Sequence, residues 1–165
     1  MKTVLVPTDF NLESTKIIDA LIQNQPNEKL NIIFLHAFKL SDSITDMLML
    51  SRRSRDYENV SDEFYQTINQ YRENFPNQVG KIGVEYFYGS TVAAFKNFIE
   101  AFDVDFIAYP KDYNFCPINK YSINPKFLTE RSGCNLLELD IKNVQVSENL
   151  IDSKIPEKEL IEATA

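Results

Sequence analysis

The stretch that decides the fold is residues 3–9, which have the sequence TVLVPTD. Its first four residues are apolar or β-branched, which indicates a β-strand that is buried on both faces and ended by Pro7. Strands without a polar face are typical of parallel sheets, which helices cover on both sides. Asn11 follows as a helix-capping residue, so this strand is predicted to lead through a short turn into a helix.

Buried strands and helices alternate along the rest of the chain. The most regular predicted helix spans residues 60–75, where apolar side chains recur at steps of four, four, three and four. This alternation predicts a Rossmann-like α/β fold, with an open five-stranded parallel sheet, right-handed crossovers and helices on both faces. The predicted strands are residues 3–6, 30–38, 83–88, 104–109 and 136–141, and residues 41–56 are predicted to form a partly helical excursion.

Length and charge limit the classes of protein that the chain can represent. Its 165 residues fit a single domain over residues 1–142, followed by a polar tail or arm over residues 143–165. With 24 acidic against 17 basic residues, the net charge of −7 has the wrong sign for binding nucleic acid. No apolar stretch is long enough for a signal peptide or a membrane span, and two distant cysteines form no redox or metal motif. We therefore expect a cytoplasmic protein that binds neither nucleic acid nor membrane.

Glycine is scarce, and its placement bears on function. The chain has four glycines, whereas average usage of about 7% would give roughly 12. Between Gly89 and Gly133 there is none, so the loop after the fourth predicted strand lacks the residues that let backbone amides approach a phosphate closely.

In open parallel sheets, ligands bind outside the carboxyl ends of the strands, at the point where the strand order reverses. Thr8 and Asp9 follow the first predicted strand, and Pro110 and Tyr113 follow the fourth. Tyrosines near the strand ends either pack in the core or line the floor of a pocket for a flat ligand. These tyrosines are Tyr86, Tyr88, Tyr109 and Tyr113.

Five segments in order resemble the universal stress protein family over residues 1–142. They are TVLVPTDF at 3–10, LHA at 35–37, FYG at 87–89, DFIAY at 105–109 and SGCNLL at 132–137. The resemblance implies a fold like that of the adenine nucleotide alpha hydrolases and a homodimer that pairs through the last strand, between Leu136 and Ile141. It also matches Asp9 to an aspartate that contacts nucleotide in the family, although Asp9 is equally well placed as a turn residue before a helix.

The chain departs from the family at its ATP-binding motif, which is Gly, two residues, Gly, nine residues, Gly and then Ser or Thr. Pro110 and Tyr113 stand at the first two glycine positions. Ile123 stands at the third glycine position and Asn124 at the position of Ser or Thr, with Ser122 nearby. Pro110 also lacks an amide donor. We therefore predict a degenerate motif that does not hold a triphosphate in the family's manner.

The sequence thus favours a non-catalytic stress-response or regulatory interaction module that needs no cofactor and whose protein partner is unknown. The alternative is a protein that binds an adenine nucleotide, such as ATP or AMP, or another small ligand in the crevice near Asp9 and Pro110. The candidate ligand-binding residues are Val6, Pro7, Thr8, Asp9, Pro110, Tyr113, Ser122 and Asn124.

Other reactive groups have both a structural and a functional interpretation. The lone His36 is either a core histidine or a metal ligand or base, and no second histidine exists to complete a metal site. Cys116 is either a reactive thiol or part of a packed loop. The basic run at residues 52–55 either grips an anion or is solvated. No nucleophile and base form a recognisable pair, so we predict neither catalytic nor metal-binding residues.

Overall fold

The computed structural model describes residues 1–38, 60–111, 115–118 and 122–141. Within these ranges it contains six strands, four α-helices and a 3₁₀ turn at Leu12–Lys16. The strands are β1 (Lys2–Pro7), β2 (Leu30–Phe38), β3 (Val79–Tyr88), β4 (Phe106–Pro110), β5 (Ser122–Ile123) and β6 (Asn135–Leu139), and the helices are α1 (Ile17–Asn24), α2 (Asp62–Asn74), α3 (Val92–Ala101) and α4 (Lys126–Glu130).

The sheet has the strand order β3-β2-β1-β4-β6, and its five main strands are parallel. This confirms the predicted open parallel sheet. The order reverses at β1, which pairs with β2 on one side and β4 on the other, so a crevice opens between the carboxyl ends of β1 and β4. The short strand β5 was not predicted, and it pairs antiparallel with the last two residues of β2.

Helices cover both faces of the sheet, and β1 is buried between them. Val4 and Val6 belong to the core cluster under α1 and α2, whereas Leu5 belongs to the cluster under α3 and α4. All three side chains are fully buried. The run of apolar residues in β1 is therefore explained by helices packing on both sides, as the sequence predicted.

Side-chain caps fix where the helices begin. The Ser61 hydroxyl accepts a hydrogen bond from the Phe64 amide at the start of α2, and the Thr91 hydroxyl accepts one from the Ala94 amide at the start of α3. The Asn11 side chain accepts from the Glu13 amide as expected, but it opens the 3₁₀ turn that precedes α1.

Several strand boundaries differ from the predicted ones, and β4 for example begins at Phe106 instead of residue 104. β3 begins at Val79 instead of residue 83, because β2 offers it a paired edge and the Asn31 side chain accepts from the Lys81 amide across an irregularity in the register. β6 ends at Leu139 instead of residue 141. The predicted excursion at 41–56 and the predicted tail at 143–165 lie outside the described residues. None of the helices in the described ranges has the length and hydrophobicity needed to cross a bilayer.

A buried hydrogen bond between α1 and α2 leads to a prediction about alkaline pH. The Tyr71 hydroxyl donates to Asp19 Oδ2 at 2.6 Å, and both side chains are buried. Burial, followed by the hydrogen bond and the negative charge of Asp19, raises the pKa of Tyr71 well above its ordinary value of 10.0. The folded protein thus keeps a proton that the unfolded chain loses, so this stabilisation is complete below the unfolded pKa and declines as the pH rises above it.

We expect Tyr71→Phe to cost about 1.5–3 kcal/mol at neutral pH, because the variant loses a hydrogen bond to a buried carboxylate. Between pH 9 and about pH 11, the variant should lose less stability than the wild type. Urea unfolding at the two pH values measures both effects, and equal losses in the two proteins would contradict the assignment.

Candidate functional site

A cleft of about 230 Å³ opens at the carboxyl ends of β1 and β4, where the strand order reverses. We call it the strand-end cleft. Pro7 and Pro110 are the last residues of these two strands and lie on its wall, while the segment after β4, α4 with the residues before it, and β6 supply most of the rest. The residues that line it are Pro7, Tyr109, Pro110, Phe115, Asn124, Pro125, Lys126, Thr129 and Glu138.

The structure brings together three of the predicted ligand-binding residues, namely Pro7, Pro110 and Asn124, at this cleft. Four others lie nearby with different roles. Val6 is fully buried in the core, and Thr8, Asp9 and Ser122 take part in hydrogen bonds within the protein. Tyr113 lies outside the described residues.

The Asp9 carboxylate is engaged by two backbone amides. Oδ1 accepts from the amide of Asn11 at 3.0 Å, and Oδ2 accepts from the amide of Cys116 at 2.9 Å. The first bond closes the turn after β1, and the second ties the segment after β4 to that turn. Asp9 is buried, and its two charge-assisted hydrogen bonds to backbone give the carboxylate a structural role.

Thr8 completes the same turn. Its hydroxyl oxygen accepts from the Phe10 amide at 2.9 Å and lies 2.8 Å from the Ser14 hydroxyl oxygen. Since the Ser14 hydroxyl donates to the Asn11 carbonyl at 2.6 Å, the Thr8 hydroxyl is the donor to Ser14. The turn holds Phe10 at a positive φ of 64°, and its ring packs against Phe64 in the core.

A buried histidine and a half-buried serine hold the segment after β4 against β2. His36 Nδ1 lies 2.8 Å from the Thr8 carbonyl oxygen, which can only accept, so Nδ1 carries the proton. In the neutral ring, Nε2 then accepts from the Ser122 hydroxyl at 2.8 Å, and Ser122 Oγ accepts from the Ile118 amide at 2.9 Å. The Phe115 ring stacks on the imidazole with the ring centroids 5.5 Å apart.

Sequence reasoning did not find this pair. His36 and Ser122 are 86 residues apart, and they meet because β5 pairs with the end of β2. A two-residue strand leaves no periodic pattern in the sequence. Since His36 is fully buried and the Ser122 oxygen already accepts an amide, the pair serves as a clasp for this segment.

Three of the four strand-end tyrosines lie in the described part of the chain, and they separate into core and cleft positions. Tyr86 is buried and packs against Phe10 and Phe38, and Tyr88 stacks on Phe38. Tyr109 lines the cleft and is half-buried. Burial raises the pKa of the Tyr109 hydroxyl, and the negative charges of Glu138 and Glu130 raise it further.

The two cysteines are separate thiols. Cys116 is exposed, and its amide donates to Asp9. Burial raises the pKa of the Cys134 thiol, which keeps it protonated at neutral pH. Within the described ranges, no group of three or more His, Cys, Asp or Glu side chains is arranged to hold a metal ion. The basic run at residues 52–55 lies outside the described part of the chain.

Comparison with solved structures finds the same fold over most of the chain. The hypothetical protein PH0823 has 15% identity and a TM-score of 0.53, covering 84% of this chain and 95% of that chain. The hypothetical protein MJ0577 has 15% identity and a TM-score of 0.51, covering 86% and 97%. UspA of Lactobacillus plantarum, a universal stress protein, has 14% identity and a TM-score of 0.50, covering 84% and 97%.

The chain has the universal stress protein fold. No family model and no curated protein matches the sequence, so this likeness is one of fold.

Within the universal stress protein fold, the cleft wall offers few backbone donors. Pro7, Pro110 and Pro125 lack an amide hydrogen and all lie on the wall. Asn124 Oδ1 already accepts from the Lys126 amide at 3.0 Å. The Thr129 hydroxyl donates to the Lys126 carbonyl at 3.0 Å. These contacts stabilise α4 and use polar groups that a ligand would otherwise need.

Proposed function

We propose that this chain is a non-catalytic regulatory or stress-response module with the universal stress protein fold. It acts in the cytoplasm through contacts with a protein partner and does not bind ATP in the family's manner. It needs no cofactor for this role.

One observation carries the proposal, namely the engagement of the Asp9 carboxylate by the amides of Asn11 and Cys116. A nucleotide hydroxyl that used this carboxylate would compete with the Cys116 amide, which ties the segment after β4 to the turn after β1. Pro110 supports the same conclusion, because the residue that ends β4 offers no amide hydrogen to a phosphate.

The non-catalytic role is supported by the His36–Ser122 clasp. A nucleophilic serine needs its base beside a space where the reacting carbon can lie. Here the serine oxygen accepts from the Ile118 amide, the ring nitrogen accepts a hydrogen bond from the serine hydroxyl, and an aromatic ring covers the imidazole. The pair therefore connects β2 to the segment after β4.

The strand-end cleft supports a second candidate function. It lies at the switch point, has half-buried aromatic side chains, and has a volume of about 230 Å³, close to the lower end of ligand pockets. A protein that binds an adenine nucleotide without cradling its triphosphate, or another small ligand, would use it.

Thermal unfolding with ATP, ADP and AMP at millimolar concentration separates the two candidates. The proposed module shows no shift with ATP, with or without Mg²⁺, because a ligand stabilises only the state that it binds. A shift with AMP alone would favour the second candidate. An increase in the unfolding temperature with ATP that Asp9→Asn abolishes would refute the proposal, since it would show that Asp9 contacts the nucleotide.

We also propose that the module is a homodimer paired through its last strand. β6 is the terminal strand of the sheet within the described residues, and Leu136 on it is 38% exposed. An uncovered edge strand with apolar side chains favours pairing with another copy. Light scattering at several concentrations tests this, and a monomer at all of them would contradict it.

A further inference from the structure

Among the described residues, the wall of the strand-end cleft offers few backbone amides to an anion. Three prolines on its wall lack amide hydrogens, and the Thr129 hydroxyl donates to the helix that carries it. Among the described residues that line the cleft, Lys126 is the basic side chain, and it is exposed at the start of α4. Within the described part of the cleft wall, an anionic ligand would therefore find one cationic group, the solvated ammonium of Lys126.

The cleft wall also carries negative charge. Glu138 lines it from β6, and both Glu138 and Glu130 act on the Tyr109 hydroxyl, whose pKa they raise in addition to the effect of burial. Glu138 is also the register partner of Tyr109 between the parallel strands β4 and β6, so its carboxylate places negative charge beside the Tyr109 ring at the cleft. A positive charge placed there is stabilised by the carboxylates and by the face of an aromatic ring.

The remaining wall is apolar and partly aromatic. Pro7 and Pro110 end the two strands, and Phe115 contributes its ring from the segment after β4. The Phe115 ring is held in place by stacking on His36, and the segment that carries it is tied by the Cys116 amide to Asp9. This wall is preformed, so it binds a flat apolar body without ordering a loop.

We propose that the strand-end cleft binds a small organic cation with a flat apolar body, of the aromatic amine or amidine class, in preference to any anion. This inference rests on the second candidate function, that the cleft binds a small ligand, and names the class of that ligand. The preference is opposite in charge to that of a phosphate-binding crevice.

Benzamidine and benzoate test the proposal, because they share the ring and the approximate size but have opposite charges. Benzamide serves as the neutral reference. In a titration followed by amide NMR at low ionic strength, benzamidine should bind at least about fivefold more tightly than benzoate, since cation–π and exposed ion-pair contributions are each modest. The shifted amides should include those of Tyr109, Thr129 and Glu138.

Variants at exposed positions separate charge from shape. Glu138→Gln keeps the size of the side chain and should weaken benzamidine about threefold to fivefold while leaving benzamide unchanged. Glu73→Gln removes an equal charge from the exposed face of α2, away from the lining residues, and should have no effect. Lys126→Gln should not weaken benzamidine.

Three results would overturn the inference. Benzoate could bind as tightly as benzamidine, or Glu138→Gln could leave benzamidine binding unchanged. The third is that no probe binds at about 10 mM, a concentration well above the dissociation constants that fragments of this size can reach. An ATP titration of the same sample distinguishes failure of this inference from failure of the proposed function. Preference for benzoate without ATP binding overturns this inference alone. ATP binding that depends on Asp9 overturns the proposed function as well.

Discussion

Replacing Phe64 by aspartate is expected to unfold the domain. Phe64 is fully buried, and its ring makes edge contacts with Phe10 and Phe34 at centroid distances of 5.6 and 5.3 Å. Truncating a buried phenylalanine costs about 3–5 kcal/mol, and an unpaired buried carboxylate costs several more. The sum approaches or exceeds the total stability of about 5–15 kcal/mol that is usual for a domain.

Circular dichroism and the dispersion of the amide NMR spectrum measure this effect. Gln66→Asp is the matched control, because it introduces the same residue at an exposed position of the same helix. It should change the stability by less than about 0.5 kcal/mol. A cooperative thermal transition for Phe64→Asp close to that of the control would show that α2 does not carry the core.

Asp9→Ala is expected to cost about 1.5–3 kcal/mol in unfolding free energy, because it removes the charged acceptor of the hydrogen bonds from the amides of Asn11 and Cys116. The variant should also speed hydrogen exchange at the Cys116 amide, since that bond holds the segment after β4. Asp9→Asn retains one oxygen as an acceptor and should lose about half as much stability.

Asp62→Ala is the control for removing an aspartate from the surface. Asp62 is exposed in the first turn of α2, where its favourable interaction with the helix dipole is worth less than about 1 kcal/mol. Urea unfolding of the three variants and the wild type gives the comparison. If Asp9→Ala proved as stable as the wild type, the carboxylate would be available for a ligand, and the structural role assigned to it would be wrong.

The sheet could be predicted from the sequence because its strands have no polar face. Residues 3–6 and 30–38 are almost uniformly apolar, and such runs are explained only by helices packing on both sides. The start of β3 could not be predicted in the same way. Gly80 and Lys81 interrupt its apolar pattern, and the Asn31 side chain on the neighbouring strand supplies the acceptor that keeps it paired.

The candidate site could be predicted only in part. Pro7 and Pro110 follow from the rule that ligands bind beyond strand ends, and Asn124 from the family motif. Lys126, Thr129 and Glu138 were not singled out, because they reach the cleft through the packing of α4 and β6 beside β4, which is tertiary information. The partners of Asp9 likewise depend on a contact between residues 107 positions apart.

The contacts around Asp9 and His36 have a consequence for the order of folding. Each side chain lies in the first quarter of the chain, and its partner comes 107 or 86 residues later. Closing such long loops carries a large entropic cost, so contacts of this kind tend to form late. During synthesis, β1 and β2 can therefore pair early, while the carboxyl edge of the sheet stays open until the ribosome has released the residues that follow β4.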